Sequence, residues 1–390
     1  MKKKTKVKAK SELPEELIRE EILTRLPIKS VVRFKSVCKP WLSLFTDPEF
    51  IKDHLTRNSI QNPNDYDCLI ASKHGRIVTL SRYEETFVLP SDDYELVGSV
   101  QGLICLRHGK KLSLWNPAIH QSREFTLPPR HSGDLDRIGL GFHHASNDFK
   151  VVVCYFSDDS LCVSVYSANS DSWKDINVPK IVFFKTKRKR YEISAPKTFV
   201  KDCPYWTCNR DMAYCNTVLS LSVMKFDVDS DEFKLLPEFS FDASVQSGPL
   251  RKDYELVNMK DCLTLMTYER SQIRSLDVYS LDEEGCCVWS KMYSLGPFIH
   301  MDYPDLSQGF RYGGEIVYHN CGKFSCYDHR TDKVKRLVGS TAHVNLVSCF
   351  TYMPSLVYLQ GMKSVHVQTQ TRRSGNNFKT ARRLIKSLKN

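Results

Sequence analysis

Nowhere in its 390 residues does this chain hold the roughly 18 consecutive apolar residues that a membrane-spanning helix requires. No apolar stretch of signal-peptide type follows its basic start, MKKKTKVKAK, and it has no Asn-x-Ser/Thr sequon. The chain is therefore expected in the cytoplasm, the nucleus or both. None of its 14 cysteines pairs with another at Cys-x-x-Cys spacing. That argues against zinc sites of the usual kind, and the scattered cysteines are expected as free, often buried thiols. There is no Gly-x-Ser-x-Gly elbow, no His-Glu-x-x-His, no phosphate loop and no dinucleotide fingerprint. The expectation is a chain with no metal, no cofactor and no catalytic residues of these kinds.

Excess positive charge is confined to the ends. The net charge is +11. Residues 1–10 hold six lysines and no acid, and residues 371–390 hold seven basic residues and no acid. The body between them sums to −2. A uniformly basic nucleic-acid-binding domain is excluded, although the tails could serve as basic arms. In the second tail, Phe378, Ala381, Leu384, Ile385 and Leu388 recur at helical spacing, which suggests a basic amphipathic helix. Lys185 to Arg190 is a third basic run, readable as an import signal or a solvated loop.

Residues 11–57 read as helices. Pro14 suits a first helical position, and Glu15 and Glu16 complement the positive end of a helix dipole. Leu17, Ile18, Ile22, Leu23 and Leu26 follow at helical spacings, and Pro27 ends the run. Further helices fit Lys29–Lys35, Pro40–Phe45 and a stretch starting at Asp47-Pro48. From Ser11 to Leu55, 19 of 45 residues are Leu, Ile, Val, Phe, Trp or Cys. So small a module needs one apolar stripe per helix for its own core, and the surplus predicts a second apolar surface that meets another protein.

Residues 13–50 resemble an F-box. The resemblance rests on Leu13-Pro14, Leu17, Ile22-Leu23, Arg25-Leu26-Pro27, Lys29-Ser30, Arg33-Phe34, Val37-Cys38-Lys39, Trp41 and Asp47-Pro48-x-Phe50. It implies a three-helix module docking on a Skp-type adaptor and, through it, on a cullin-RING ubiquitin ligase. The contacts it implies are Leu13, Pro14, Leu17, Ile22, Leu23, Leu26, Pro27, Ile28, Val31, Val32, Phe34, Val37, Cys38 and Trp41. The alternative is an unrelated helical hairpin capping the next domain.

Beyond residue 60 the apolar period becomes two, in short runs bounded by turn residues. A unit recurs at 112–129, 163–179, 221–237, 273–295 and 324–337: a strand ending near an aromatic, a polar turn, then a second strand. Trp115, Tyr166, Phe226, Tyr279 and Tyr327 hold matching places, separated by 51, 60, 53 and 48 residues. That period fits four-stranded propeller blades. An earlier unit at 76–90 supplies a sixth. A large β-sandwich is the other reading.

The region from about 65 to 340 resembles the kelch-like F-box-associated domain of plant F-box proteins. The motifs are Gly102-Leu-Ile-Cys-Leu106, Leu114-Trp115-Asn116-Pro117, Leu127-Pro128, Gly139-Leu-Gly141-Phe142 with Phe149-Lys150-Val-Val152, Val165-Tyr166 with Ser172-Trp173, Phe226-Asp227 with Glu232-Phe233, and Tyr327-Asp328. One departure lies at 248–265, where no Gly opens a strand and an irregular fifth blade is expected. The expected organisation is a basic tail at 1–10, an F-box at 11–57, a propeller of about six blades at 65–360 and a basic tail at 371–390.

Three weaker patterns are weighed against plain structural roles. Asp227-x-Asp229-x-Asp231 imitates an EF-hand start, but Glu232 stands where the sharp turn needs Gly, so a hairpin turn is expected. Cys203, Cys208, Cys215, Cys286, Cys287, Cys321 and Cys326 are expected as free thiols. His143 and His144 are expected as ordinary turn histidines. The whole reads as a non-catalytic adaptor with an unknown protein substrate and no identifiable substrate site. A propeller-based enzyme and a nucleic-acid-associated protein are the rival classes.

Overall fold

The computed structural model describes residues 14–61, 69–73, 76–80, 84–90, 94–128, 137–157, 160–178, 189–194, 198–212, 220–241, 252–259, 261–269, 275–283, 285, 287–296, 305–312, 315–320, 323–328, 331, 333–336, 346–365 and 370–373. The first tail, Leu13, Cys215, Cys286, Cys321, residues 378–388 and most of the basic run at 185–190 lie outside these residues. The chain begins with four helical segments. The first, α1 (15–25), is irregular: an α-turn Glu15–Leu17, a π-turn Ile18–Ile22 and a 3-10 turn Leu23–Arg25. Then come α2 (Ile28–Phe34), α3 (Lys39–Leu44) and α4 (Pro48–Gln61). Pro14 precedes the first turn with extended ψ instead of opening it. No helix of the described residues is long and apolar enough to cross a membrane.

After the helices come strands, and every pairing among the described ones is antiparallel. The first three strands are β1 (Leu69–Lys73), β2 (Arg76–Leu80) and β3 (Glu84–Pro90). The second sheet comprises β4 (Glu95–Val100), β5 (Leu103–His108), β6 (Lys111–Asn116) and β7 (Gln121–Thr126). The third holds β8 (Arg137–His143), β9 (Asp148–Ser157), β10 (Ser160–Ser167) and β11 (Ser172–Ile176). In the fourth, β12 (Lys189–Ile193) and β13 (Thr198–Val200) share β14 (Cys203–Met212), followed by β15 (Ser220–Asp227), β16 (Glu232–Leu235) and β17 (Phe239–Ser240). The fifth is β18 (Lys252–Met259), β19 (Cys262–Glu269), β20 (Leu276–Leu281) and β21 (Trp289–Leu295). The sixth is β22 (Asp305–Tyr312), β23 (Glu315–Asn320), β24 (Lys323–Asp328) and β25 (Lys333–Arg336). Three strands follow: β26 (Leu346–Thr351), β27 (Lys363–Ser364) and β28 (Gln370–Arg373).

The sheets are the blades of a propeller. Strands of successive blades lie side by side, β26 on β4, β4 on β8, β8 on β14, β13 on β18 and β18 on β22. The first blade is assembled from both ends of the chain. Strand β26 pairs with β1, matching Thr351 to Leu69 and Phe350 to Ile70, so the order is β26-β1-β2-β3. β27 and β28 then add to the outer edges of the second and first blades. Residues 371–373, expected within a tail, are thus part of a sheet.

The repeating aromatics sit near the ends of the third strands, β6, β10, β15, β20 and β24. Trp115 is 1% exposed and packs between the first two blades, among Ile77, Leu96, Ile104, Leu106, Phe350 and Tyr352. Tyr166, Phe226 and Tyr327 are likewise buried, and Tyr279 is half-buried against the core of the fourth and fifth blades. In the fifth blade the pairing of the first two strands is regular where irregularity was expected, and a register shift falls later, at Val278 and Tyr279 between β20 and β21. Pairing of β18 with β19 is unbroken from Lys252–Glu269 to Met259–Cys262. The residue just before a second strand needs positive φ: Gly102 has 78°, Asn147 51°, Asp202 58° and Asp261 58°. Asp and Asn tolerate that region because their short side chains bond locally, so Asp261 replaces the missing glycine.

Trp115→Ala should destabilise the chain by about 3–5 kcal/mol, the usual cost of emptying a core aromatic site. Denaturant unfolding checks this, and a cost under about 1 kcal/mol would mean the two blades do not depend on that ring.

Candidate functional site

The helical segments build one small core. Leu23, Ile28, Val31, Phe45 and Phe50 are fully or almost fully buried, with Ile18, Leu26, Val32, Phe34, Trp41, Leu44 and Ile51 packed around them. A chain of rings runs through it, Phe34–Trp41–Phe45–Phe50–His54, with centroids 5.5, 6.2, 5.3 and 6.0 Å apart in turn. This core is not closed by the helices alone. Leu356, 2% exposed, and half-buried Ala118 and Ile119 of the propeller belong to the same cluster.

Polar contacts fix α1 on α4. His54 is buried, and its Nε2 lies 2.9 Å from the Leu26 carbonyl oxygen. Donation from Nε2 satisfies a carbonyl that the end of α1 leaves open. Burial lowers the His54 pKa below the usual histidine value, with the Leu26 bond opposing it. Arg57 donates to the Glu20 carbonyl at 2.5 Å, and Arg19 pairs with Asp47 at 3.2 Å.

The described residues among those expected to contact an adaptor divide into three sets. Leu23, Ile28 and Val31 are interior, so for them the surface role is corrected: they face the module's own core. Leu26, Val32, Phe34 and Trp41 are half-buried against that core. Pro14, Pro27 and Cys38 are exposed, and Leu17, Ile22 and Val37 expose 48%, 44% and 60% of their surface. Leu42, absent from the expected contacts, is 47% exposed. The sequence signal for it was Trp41-Leu42-x-Leu44, more apolar residues than one stripe of a six-residue helix can use. Large side chains of this kind exposed close together in sequence are what a docking face presents.

The other candidates resolve into turns. Asp227 Oδ1 accepts from the backbone N–H groups of Asp229 and Ser230, and its Oδ2 receives Lys234 at 2.7 Å. That is an Asx-type cap on the β15–β16 hairpin, not an ion-binding loop. His144 is exposed, and its Nε2 lies 2.9 Å from Asp202 Oδ2, a bond that raises its pKa above the usual value. His143 lies 2.5 Å from Ser146 Oγ. Cys105, Cys154, Cys203 and Cys208 are free and buried, and burial pushes the Cys208 thiol up to about 12. Among the described residues no group of three or more His, Cys, Asp or Glu is placed to hold a metal ion.

Comparison with known proteins matches both parts of the chain. A family model described as the F-box domain fits residues 11–53, and one described as the F-box associated beta propeller domain fits residues 79–359. An F-box protein of Arabidopsis thaliana is 26% identical over 353 residues, covering 82% of this chain and 83% of that protein. An F-box/kelch-repeat protein of the same plant is 26% identical over 308 residues, covering 73% and 79%. Another F-box/kelch-repeat protein is 24% identical over 384 residues, covering 93% and 87%.

The core and surface sets should separate in mutants. Ile28→Ala should cost about 2–5 kcal/mol of module stability, while Leu17→Ala should stay within about 0.5 kcal/mol. Unfolding followed by Trp41 fluorescence reads both. The His54 shift carries a pH dependence. Its folded pKa is depressed, so its contribution is complete above the ordinary value of 6.5 and is lost as pH falls from there through the folded pKa. The module should therefore melt lower at mildly acidic pH than at neutral pH, and His54→Gln should flatten that slope.

Proposed function

The chain belongs to the F-box proteins that carry an F-box-associated β-propeller, and on that premise we propose that it is the substrate-recognition subunit of a Skp–cullin–F-box ubiquitin ligase. The observation that carries the reading is the exposure of Leu17, Ile22, Val37 and Leu42 on a module whose other apolar face is already covered by Leu356, Ala118 and Ile119. A second apolar face left in water on so short a module fits a protein partner. In this reading the exposed set, with Pro14, Pro27 and Cys38, docks a Skp-type adaptor, which links the chain to a cullin-RING ligase. The propeller holds a protein substrate.

The chain itself makes and breaks no bond here. Ubiquitin transfer joins a substrate lysine to ubiquitin carried by a conjugating enzyme, and two reactants held on one scaffold meet at a raised effective concentration. The contribution of this chain is the position of the substrate relative to the adaptor. Such ligases act in the cytoplasm and nucleus, and that is where the reading assigns it.

Co-purification with a Skp-type adaptor is the test. Leu17→Glu combined with Val37→Glu should abolish capture of the adaptor, since buried apolar anchors dominate such interfaces. Both positions are exposed, so the thermal melting of the variant should match the parent. Capture at parental strength by a folded double variant would refute the assignment of this face. Removing residues 1–61 should yield a chain that retains substrate and lengthens its half-life in cells. A truncated chain that instead speeds substrate loss would point to an activity within the propeller.

A further inference from the structure

The segment after β26 is irregular backbone, yet much of it is buried. Ser355 is wholly enclosed, and Leu356, Leu359 and Met362 are nearly so. Buried backbone outside helices and sheets must find its hydrogen bonds elsewhere. Here one side chain supplies several of them. Asn116, at the end of β6 and itself 0% exposed, donates from Nδ2 to the carbonyls of Ser355 at 3.1 Å and Val357 at 2.8 Å. Its Oδ1 accepts from the Ala118 N–H at 2.9 Å. The same amide thus binds the segment and shapes the turn that carries Ala118 and Ile119. Gly102 admits the segment from the other side: a Cβ there would lie 2.7 Å from the Met353 carbonyl oxygen and would overlap Ser355.

Held in this way, the segment sends side chains into three separate cores. Tyr352 joins the cluster around Trp115 between the first two blades. Leu359 and Met362 enter the core between the second and third blades. Leu356 enters the helical module with Leu23, Ile28, Val31, Phe45 and Phe50. A residue more than three hundred positions from α2 in sequence completes the core on which α2 rests. The helical module is too short to bury its apolar residues alone, so it gains most from an added core side chain.

We infer that Leu356 and Asn116 are positioning residues for the helical module. Leu356 completes the module's core, and Asn116 fixes where Leu356 is presented. The module is thereby seated on the propeller in one orientation, and its stability depends on the far end of the chain. Resting on the ligase reading, this seating sets the path from bound substrate to adaptor; the seating itself is independent of that reading.

The test is hydrogen exchange on the full-length chain without any partner. Peptides covering Ile28–Phe34 and Pro48–Gln61 report the module, and Cys262–Glu269 in the fifth blade serves as reference. Leu356→Ala should speed exchange in the module peptides at least tenfold and leave the reference unchanged. Leu356→Met, close in volume, should restore protection to near the parent. Asn116→Ala should reproduce the effect of Leu356→Ala, because it removes both donors to the segment. Unchanged exchange in the module, or equal acceleration in the reference peptide, would overturn the inference. Affinity for a purified Skp-type adaptor is measured in parallel and should fall in the two alanine variants and recover with Leu356→Met. A parent chain that binds no adaptor would refute the ligase reading, while the exchange results would still decide the seating.

Discussion

The pairing of β26 with β1 is the contact on which the rest of the molecule depends. It brings Thr351 against Leu69 and completes the first blade from the two ends of the propeller sequence. Closing so long a loop has an entropic cost, but that cost grows only logarithmically with length. A closed ring then lets each blade bury both faces against its neighbours, which a single blade cannot do. Closure also delivers residues 352–362 to the second blade, where Asn116 and Gly102 receive them. The seating of the helical module is therefore a consequence of ring closure.

Between blades, a recurring polar contact supplements the apolar cores. Arg123, on β7, donates to the Ala168 carbonyl at 2.8 Å and pairs with Asp171 at 2.6 Å in the β10–β11 turn of the next blade. Lys150, on β9, donates to the Val228 carbonyl at 2.7 Å and pairs with Asp231 at 2.5 Å in the β15–β16 turn. Lys225, on β15, reaches Glu283 after β20 at 2.9 Å, and Tyr205 donates to the other oxygen at 2.8 Å. Ala168 and Val228 each stand two residues past the repeating aromatic, and Asp171 and Asp231 stand five past it. Lys150 is buried, and desolvating a cation is costly unless it is fully bonded, so these contacts constrain how the blades meet more than they add stability. Hydrogen bonds from Tyr166 and Arg123 hold the Asp171 carboxyl below its ordinary pKa, consistent with a carboxylate at this junction.

What the sequence revealed and what it hid follow from the range of the interactions. The helices were legible from Pro14, Pro27 and Pro48 and from apolar residues at helical spacing, because these signals act within a turn or two. Five of the blades were legible because each places one aromatic near the end of its third strand, so a local packing need became a period of about fifty residues. The β26–β1 closure was hidden because no local pattern links Phe350 to Ile70. Leu356 was hidden for a similar reason: it lies in an irregular segment with no period to read. The missing glycine before β19 left no irregularity in β18–β19, because Asp261 takes the positive φ there with its N–H on Asn258 Oδ1; the blade's one register shift lies instead between β20 and β21, at Val278 and Tyr279. Sorting Leu23, Ile28 and Val31 from Leu17, Ile22 and Val37 also required the structure. With apolar residues on more than one stripe, spacing alone does not say which stripe faces inward.

Two sets of apolar residues set the module's energetics. One packs on Leu356, Ala118 and Ile119 within the chain; the other, Leu17, Ile22, Val37 and Leu42, is exposed. A short bundle that leaves several large apolar side chains exposed has little stability in reserve. A ligand that binds only the folded form stabilises it by mass action, so an adaptor on the open face would stabilise the helices as well as recruit them. The propeller acts through the module's core and independently of any partner, because Leu356 is covalently part of the chain. The internal contact thus supplies a module already folded and oriented, which lowers the ordering cost a partner must offset on binding. A module tethered by a flexible linker would leave that cost to its partner alone, and under the proposed ligase role the substrate's position relative to the ubiquitin donor would then vary with the linker.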